Sequence, residues 1–262
     1  MVTFQKLTQP YGISLFAILV GLSISYIWPS LSSSIYNGRP VHKYSMRVLS
    51  FDPLLIHLEG FITDSERTHL LRLGEHRYNS SKINLPNGTK IISQRRTSDT
   101  ARLPTDDPIV QRIVTRASTL QGYTPEVNIE TLQLTKYNPG QYYMAHWDHY
   151  QDVPVPENES QRITTIFAIL DADCDECGTQ FPNLSVDWSK EDSRWCEFVD
   201  CNNTGGITVR PIPGNALFWK NIDASSNGVR ETLHAGLPPL NGTKIGLNIW
   251  TREKKWEQST LL

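Results

Sequence analysis

Residues 137–149 read YNPGQYYMAHWDH. The Pro139-Gly140 pair marks a turn between two strand-like runs, Asn128 to Tyr137 and Tyr142 to His149. On a strand, side chains at i and i+2 leave the same face, so His146 and Asp148 point at a common spot while Trp147 points away. The same parity turns His149 to the other side. One imidazole and one carboxylate suit a metal ion such as Fe(II), provided that a second His arrives from elsewhere.

Working outward, the runs after Pro125 keep a strand character. Ile163 to Leu170 (ITTIFAIL) is apolar on both faces and β-branched at its start, which predicts a central buried strand. Thr208-Val209-Arg210, Asn215 to Trp219 after a Pro213-Gly214 turn, and Lys244 to Thr251 supply further strands. Upstream, Val48 to Leu58 reads as short strands interrupted at Pro53. Thr63 and Glu66 form a capping box for a helix carrying Leu70, Leu71 and Leu73. A second helix starts at Asp107 and Pro108, presents Ile109, Val110, Ile113, Val114 and Ala117, and stops at Gly122. Two helices followed by many short strands predict an α+β fold with a double-stranded β-helix (jelly-roll) core.

The chain has 262 residues, enough for one substantial domain and an appendage. A net charge of −2 and the lack of any Lys/Arg-rich run exclude nucleic acid as an expected partner. Residues 1–10 read as a short cytosolic start. Tyr11 to Trp28 runs uncharged with aromatic residues at both ends and predicts one transmembrane helix. An uncleaved anchor fits better than a cleaved signal peptide, because the run is long for such a signal and no Ala-x-Ala site follows. Residues 29–45 read as a polar stem, 46–256 as the folded domain and 257–262 as a tail. Six Asn-x-Ser/Thr acceptors, at Asn79, Asn87, Asn158, Asn183, Asn202 and Asn241, place the bulk of the chain in the endoplasmic reticulum or Golgi lumen as a glycoprotein. Local charge argues the other way, with Lys6 before the apolar run and Arg39, Lys43 and Arg47 after it. The acceptors outweigh it, since large domains translocate against a weak charge bias.

The second His is sought among the remaining six. His42 lies in the stem, His69 and His76 on the first helix, and His57 in an apolar run that suits a packed core residue. His149 is set aside by strand parity. His234 remains, before a Pro-rich turn and the last strand, and Lys244 stands ten residues after it.

Taken together, Tyr137-x-x-Gly140-Gln141, His146-x-Asp148, His234 and Lys244 resemble the prolyl 4-hydroxylases among the Fe(II)/2-oxoglutarate-dependent dioxygenases, over about Val48 to Trp250. That resemblance implies that His146, Asp148 and His234 ligate Fe(II). It implies that Lys244 holds the far carboxylate of 2-oxoglutarate, helped by the hydroxyl of Tyr137. Thr179, in Gly178-Thr179-Gln180-Phe181-Pro182, resembles part of the family's Gly-Glu-Thr segment and adds a hydroxyl there, although the Glu is missing. Arg96 and Ser98 of the Arg95-Arg96-Thr97-Ser98 run, with Glu130, Tyr143, Arg162 and Trp250, fall where the family places its peptide groove. Arg252 departs from the pattern, since better-known members carry a His there. The implied reaction consumes O2 and 2-oxoglutarate, with ascorbate as the supporting reductant. It releases succinate and CO2 and places a hydroxyl on C4 of a proline in a polypeptide substrate.

The four cysteines read Cys174-x2-Cys177 and Cys196-x4-Cys201. In a lumenal protein they predict two disulfides rather than a zinc site, with all three pairings open. Two other function classes stand beside the hydroxylase. One is a dioxygenase acting on another peptide residue or a small molecule, for which Arg252 leaves room. The other is a glycosylated binding module that keeps the fold without turnover. The sequence points to no oligomeric state.

Overall fold

The structure is a computed structural model that describes residues 35–36, 39–40, 42–84, 89–150, 155, 160–174 and 176–254. The expected transmembrane run 11–28, most of the stem, Asn87, Asn158 and the 257–262 tail lie outside the described residues. Among the described residues no helix is long and apolar enough to cross a membrane. The chain divides into two compact units, Met1–Lys43 and Tyr44–Leu262. In the first, β1 (Ile35–Tyr36) pairs antiparallel with β2 (Arg39–Pro40).

The second unit opens with β3 (Ser45–Phe51) and β4 (Leu54–Glu59), a hairpin that turns at a cis Asp52–Pro53 bond. Helix α1 (Asp64–Gly74) follows, its capping box formed in both directions by the Thr63 hydroxyl and the Glu66 carboxylate. Short strands β5 (Asn79–Ser80), β6 (Ile83–Asn84), β7 (Lys90–Ile91) and β8 (Asp99–Arg102) lead to α2 (Pro108–Leu120). The carboxylate of Asp107 caps α2 by accepting from the backbone N–H of Ile109 and Val110, and Gly122 ends it at a φ of +76°. A buried pair, Arg116 on α2 with Glu66 on α1 at 2.7 and 2.9 Å, ties the two helices together.

From there the chain is almost all strand: β9 (Gln133–Tyr137), β10 (Tyr143–His146), β11 (Arg162–Ala172), β12 (Thr179–Phe181), β13 (Ile207–Val209), β14 (Ala216–Lys220), β15 (His234–Gly236) and β16 (Lys244–Arg252). The large sheet runs β3-β4-β14-β11-β16-β9-β8-β5 and the small one β10-β15-β12-β13. β11 lies at the centre between β14 and β16, as its two-sided apolar sequence predicts.

The period of two divides the core. Ile166, Ala168 and Leu170 of β11, Ala216 and Phe218 of β14, Leu247 and Ile249 of β16 and Leu134 of β9 pack with Leu70, Val110, Ile113 and Ala117 of the helices. The alternate residues Phe167, Ile169, Leu217 and Trp219 pack with Phe181, Ile207 and Val209 of the small sheet. Even-numbered positions of β16, odd-numbered positions of β9 and, between the two register shifts of β11, Thr165, Phe167 and Ile169 therefore face the space between the two sheets. Lys244, Tyr137 and Thr165 are among them.

Two sequence expectations are corrected. Asn128 to Tyr137 is a strand only from Gln133, because Glu126–Asn128 forms a 3-10 turn after Pro125. The strand expected over Tyr142 to His149 ends at His146, so Asp148 sits in the bend beyond it. The short strands expected over Val48 to Leu58, ahead of the first helix, are β3 and β4, which complete one side of the large sheet.

Candidate active site

His146 and His234 are direct cross-strand partners in the small sheet, at the end of β10 and the start of β15. Their rings lie 4.3 Å apart. The Nδ1 of each faces a backbone carbonyl two residues earlier, Met144 O at 2.9 Å and Thr232 O at 3.0 Å. A carbonyl only accepts, so Nδ1 carries the proton and Nε2 keeps its lone pair. Both Nε2 atoms look at Asp148, 3.8 Å from Oδ1 for His146 and 3.7 Å from Oδ2 for His234. The three ligand atoms lie within 4.8 Å of one another, and they are the only such group of metal-ligating side chains among the described residues. Two imidazoles with oriented lone pairs and one carboxylate fit an Fe(II) ion.

Protonation suits the same role. Burial holds the His146 imidazole well below its ordinary pKa, with His234 adding to the effect, so it is neutral near pH 7. Burial works against an ionised Asp148, but the two imidazoles, Arg162 and the Thr165 hydroxyl bring its carboxyl down to about 2. Phe181 and Trp219 pack on His234 with ring centres at 5.7 and 4.8 Å, giving the site a dry wall.

Behind Asp148 lies a relay that the sequence reading missed. Thr165 donates from Oγ1 to Asp148 Oδ2 at 2.7 Å and accepts from Asn221 Nδ2 at 2.9 Å. Thr165 is buried and Asn221 is completely so. The available signal was parity, since Thr165 shares a β11 face with Phe167 and Ile169, but a Thr in ITTIFAIL reads as a packing residue. Trp147, half-buried, donates from Nε1 to Arg230 O at 3.1 Å. It thus ties the His146–Asp148 segment to the turn that leads into His234.

Lys244 and Tyr137 are cross-strand partners on β16 and β9. Lys244 is fully buried, and its Nζ lies 4.6 Å from the centre of the Tyr137 ring. Burial pushes the Lys244 pKa down to about 7. Burial pushes the Tyr137 hydroxyl up to about 12, with Arg96 opposing, so it stays a donor. Thr179 pairs with Gly236 on β15, and a Cβ built on Gly236 would stand only 2.7 Å from the Tyr137 hydroxyl. Tyr137 therefore approaches the small sheet where only a glycine leaves room.

The six groove candidates fall into two groups. Arg96, Ser98 and Tyr143 stand beside His146: Arg96 donates from Nε to Ser98 Oγ at 3.3 Å and covers the Tyr143 ring at 4.6 Å. That ring stacks on His146 at 3.4 Å and 14°. Glu130, Arg162 and Trp250 stand beside Asp148. Arg162 holds Glu130 in a bidentate pair at 2.6 and 3.0 Å, lies 3.9 Å from the Trp250 ring centre, and brings Nη1 to 3.9 Å from Asp148 Oδ1. Arg252 is turned into this group, 2.7 Å from Glu130, with its Nη1 donating to Ser160 O. Burial alone would raise the Glu130 carboxyl, yet the two guanidiniums hold it below its ordinary value. His149 is buried away from the triad, because the chain bends after His146 rather than because a strand continues. His57 is a buried core residue against Phe198. Cys174 pairs with Cys177 and Cys196 with Cys201, which settles the open pairing.

Residues 132–252 match the model of the 2OG-Fe(II) oxygenase superfamily. Prolyl 4-hydroxylase 2 of Arabidopsis thaliana is 32% identical over 249 residues, covering 91% of this chain and 79% of the relative. The chain belongs to the prolyl 4-hydroxylase family. Probable prolyl 4-hydroxylase 8 of the same plant is also 32% identical, over 78% of this chain and 70% of its own length. The viral collagen prolyl hydroxylase of Paramecium Bursaria Chlorella virus-1, solved with 2OG, shares the fold. Its TM-score is 0.54 at 24% identity, over 76% of this chain and 95% of that one. This member of the family is thus an Fe(II)/2-oxoglutarate-dependent dioxygenase that requires Fe(II), 2-oxoglutarate and O2, and ascorbate is typical of the family. Turnover chemistry, rather than a binding module, is what the family carries.

Proposed function

We propose that this enzyme hydroxylates peptidyl proline at C4, using O2 and 2-oxoglutarate and releasing succinate and CO2. The observation that carries the reading is the convergence of His146, Asp148 and His234 between two walls, Arg96–Tyr143 and Glu130–Arg162–Trp250. The relatives named as prolyl 4-hydroxylases supply the reaction class.

In this reading His146, Asp148 and His234 hold Fe(II), which with 2-oxoglutarate supplies an oxidation that no side chain performs alone. Lys244 supplies a buried positive charge for the far carboxylate of 2-oxoglutarate. Tyr137, whose hydroxyl lies against Gly236, and Thr179, the cross-strand partner of Gly236, supply hydroxyl donors. A buried Lys with no anionic partner among the described residues is poised for such a guest, because the guest's charge replaces solvent that burial has removed. Tyr143 offers a flat face next to His146 for a proline ring. Arg162 has N–H groups for peptide carbonyls on the Asp148 side. Phe181 and Trp219 keep water from His234.

A second reading, a dioxygenase acting on another peptide residue or a small molecule, draws on Arg252. With it, two permanent cations share Glu130, and the charge of that wall differs from one built with a His. We further propose that residues 11–28 anchor the enzyme in the endoplasmic reticulum or Golgi membrane, with residues 1–10 cytosolic and the stem and the 46–256 domain lumenal. Two disulfides and the exposure of the described acceptors Asn79, Asn183, Asn202 and Asn241 support this location.

The test incubates the purified full-length chain with Pro-rich peptides, Fe(II), 2-oxoglutarate and ascorbate, and follows the peptides by mass spectrometry. A gain of one oxygen on proline is expected. Succinate release without peptide oxidation favours the second reading, and absence of 2-oxoglutarate turnover with every peptide overturns the first.

A further inference from the structure

Lys244 is wholly buried, and among the described residues its Nζ donates to three backbone carbonyls: Cys177 O, Gly178 O at 3.1 Å and Leu237 O at 3.4 Å. Two of the three belong to the short crossover that carries the chain from β11 in the large sheet to β12 in the small one. Both ends of this crossover flank the lysine. Ala172, the last residue of β11, is the cross-strand partner of Lys244, and Thr179 opens β12. The Cys174–Cys177 disulfide closes the crossover between them. Cys177 is itself buried. Gly178 is pressed against β13 so closely that a Cβ would meet Val209 O at 2.7 Å, and its carbonyl also accepts from Leu237 N at 3.1 Å.

We propose that the Cys174–Cys177 disulfide is a positioning element for the co-substrate: it fixes the Cys177 carbonyl that, beside the Gly178 carbonyl, aims Lys244 Nζ, and so sets the affinity for 2-oxoglutarate. The proposal rests on the reading of Lys244 as the partner of the 2-oxoglutarate carboxylate. A flexible ammonium on a four-carbon stem has three rotatable donors and no fixed direction of its own, so its aim is dictated by the acceptors around it. With the ring closed, those acceptors are held between two strands. With the ring open, the Cys177 carbonyl is free to shift relative to Lys244, while Gly178 stays bonded to Leu237 N–H and the triad, on β10, the bend after it and β15, is untouched. Reduction by a dithiol balances simply: the dithiol gives two electrons and two protons, the S–S bond breaks to two thiols, and the dithiol closes to its own disulfide. Co-substrate affinity then follows the redox state of this one bond.

The experiment measures 2-oxoglutarate binding to the Mn(II)-loaded full chain by calorimetry, together with Mn(II) binding and the KM and kcat for 2-oxoglutarate. The Cys174→Ser/Cys177→Ser variant is expected to bind 2-oxoglutarate roughly tenfold more weakly, the scale of a lost supporting contact. Its Mn(II) affinity and kcat are expected to hold, and Cys196→Ser/Cys201→Ser is expected to match the unaltered chain. Where the double variant fails to fold, dithiol titration of the Cys196→Ser/Cys201→Ser chain reads the same change, restored on reoxidation. Affinity within twofold of the unaltered chain, or a parallel loss of Mn(II) binding, overturns the proposal. Lys244→Met separates the two layers. If it loses 2-oxoglutarate while the cysteine variant does not, only the disulfide's role falls; if it binds normally, the reading of Lys244 falls as well.

Discussion

Thr165→Val removes one hydroxyl from behind the iron site and nothing else of comparable size. Valine keeps the β-branch that suits the centre of β11, so the strand is expected to form as before. Two hydrogen bonds disappear: the one to Asp148 Oδ2 at 2.7 Å and the one from Asn221 Nδ2 at 2.9 Å. The first is charge-assisted, a class that contributes about 1.5–3 kcal/mol. At about 1.4 kcal/mol per factor of ten, losing it weakens metal binding by roughly 10- to 100-fold, in line with other partners of metal ligands. The second leaves a buried amide N–H of Asn221 without its acceptor and lowers stability by about 1–3 kcal/mol. Thr165→Ser keeps the hydroxyl and is expected to restore metal binding to within a few-fold. The assay is anaerobic competition for Fe(II) against a chromophoric chelator, with urea unfolding alongside. Metal affinity of Thr165→Val within twofold of the unaltered chain would refute the idea that the relay holds Asp148 in place.

Lys244 has a folded pKa of about 7 against an ordinary 10.5, so the unfolded chain binds that proton more tightly. Its burial therefore costs stability below pH 7 in full, and the cost fades as pH rises towards 10.5. A carboxylate guest prefers the charged form, so the KM for 2-oxoglutarate is expected to be flat below about pH 7 and to climb roughly tenfold per unit above it. Lys244→Met should raise KM throughout and erase that slope; a slope that survives would remove Lys244 from the site. Glu130→Gln leaves the Arg162 and Arg252 guanidiniums without their shared anion and is expected to cost about 3–5 kcal/mol in urea unfolding, an unchanged midpoint being the contrary result. Gly236→Ala drives a methyl against the Tyr137 hydroxyl, so a raised KM for 2-oxoglutarate at unchanged iron affinity is expected, and an unaltered KM would show that Tyr137 does not touch the co-substrate.

Much of this site was legible because its chemistry demands particular residue types at particular spacings. His146, Asp148, His234 and Lys244 stand out in the chain, and the structure brings the first three to a single point. Local signals also translated directly into helices. Thr63 and Glu66 form the capping box, and Asp107 with Pro108 opens the helix whose buried face is Val110, Ile113 and Ala117. What escaped depends on contacts between distant parts of the chain. β15 is only three residues long, too short for any periodicity, and exists because β10 and β12 pair with it on either side. Strand parity places Asp148 beside His146, whereas in the fold it comes to 3.8 Å from His146 through a bend beyond the strand. Arg252 was read as a departure at the groove; in the fold its guanidinium is buried against a carboxylate 122 positions away. Thr165 and Asn221 are small polar residues in apolar surroundings, and only the folded sheets show that they meet behind a ligand.

The central claim is that His146, Asp148 and His234 hold the iron to which 2-oxoglutarate binds. The direct measurement is an anaerobic titration of the Fe(II)-loaded full chain with 2-oxoglutarate, followed by the visible charge-transfer absorption of the ternary complex. The band is expected in the unaltered chain and is expected to vanish in His146→Ala and in His234→Ala while both variants keep their folded circular dichroism. A full band in either variant would contradict the assignment.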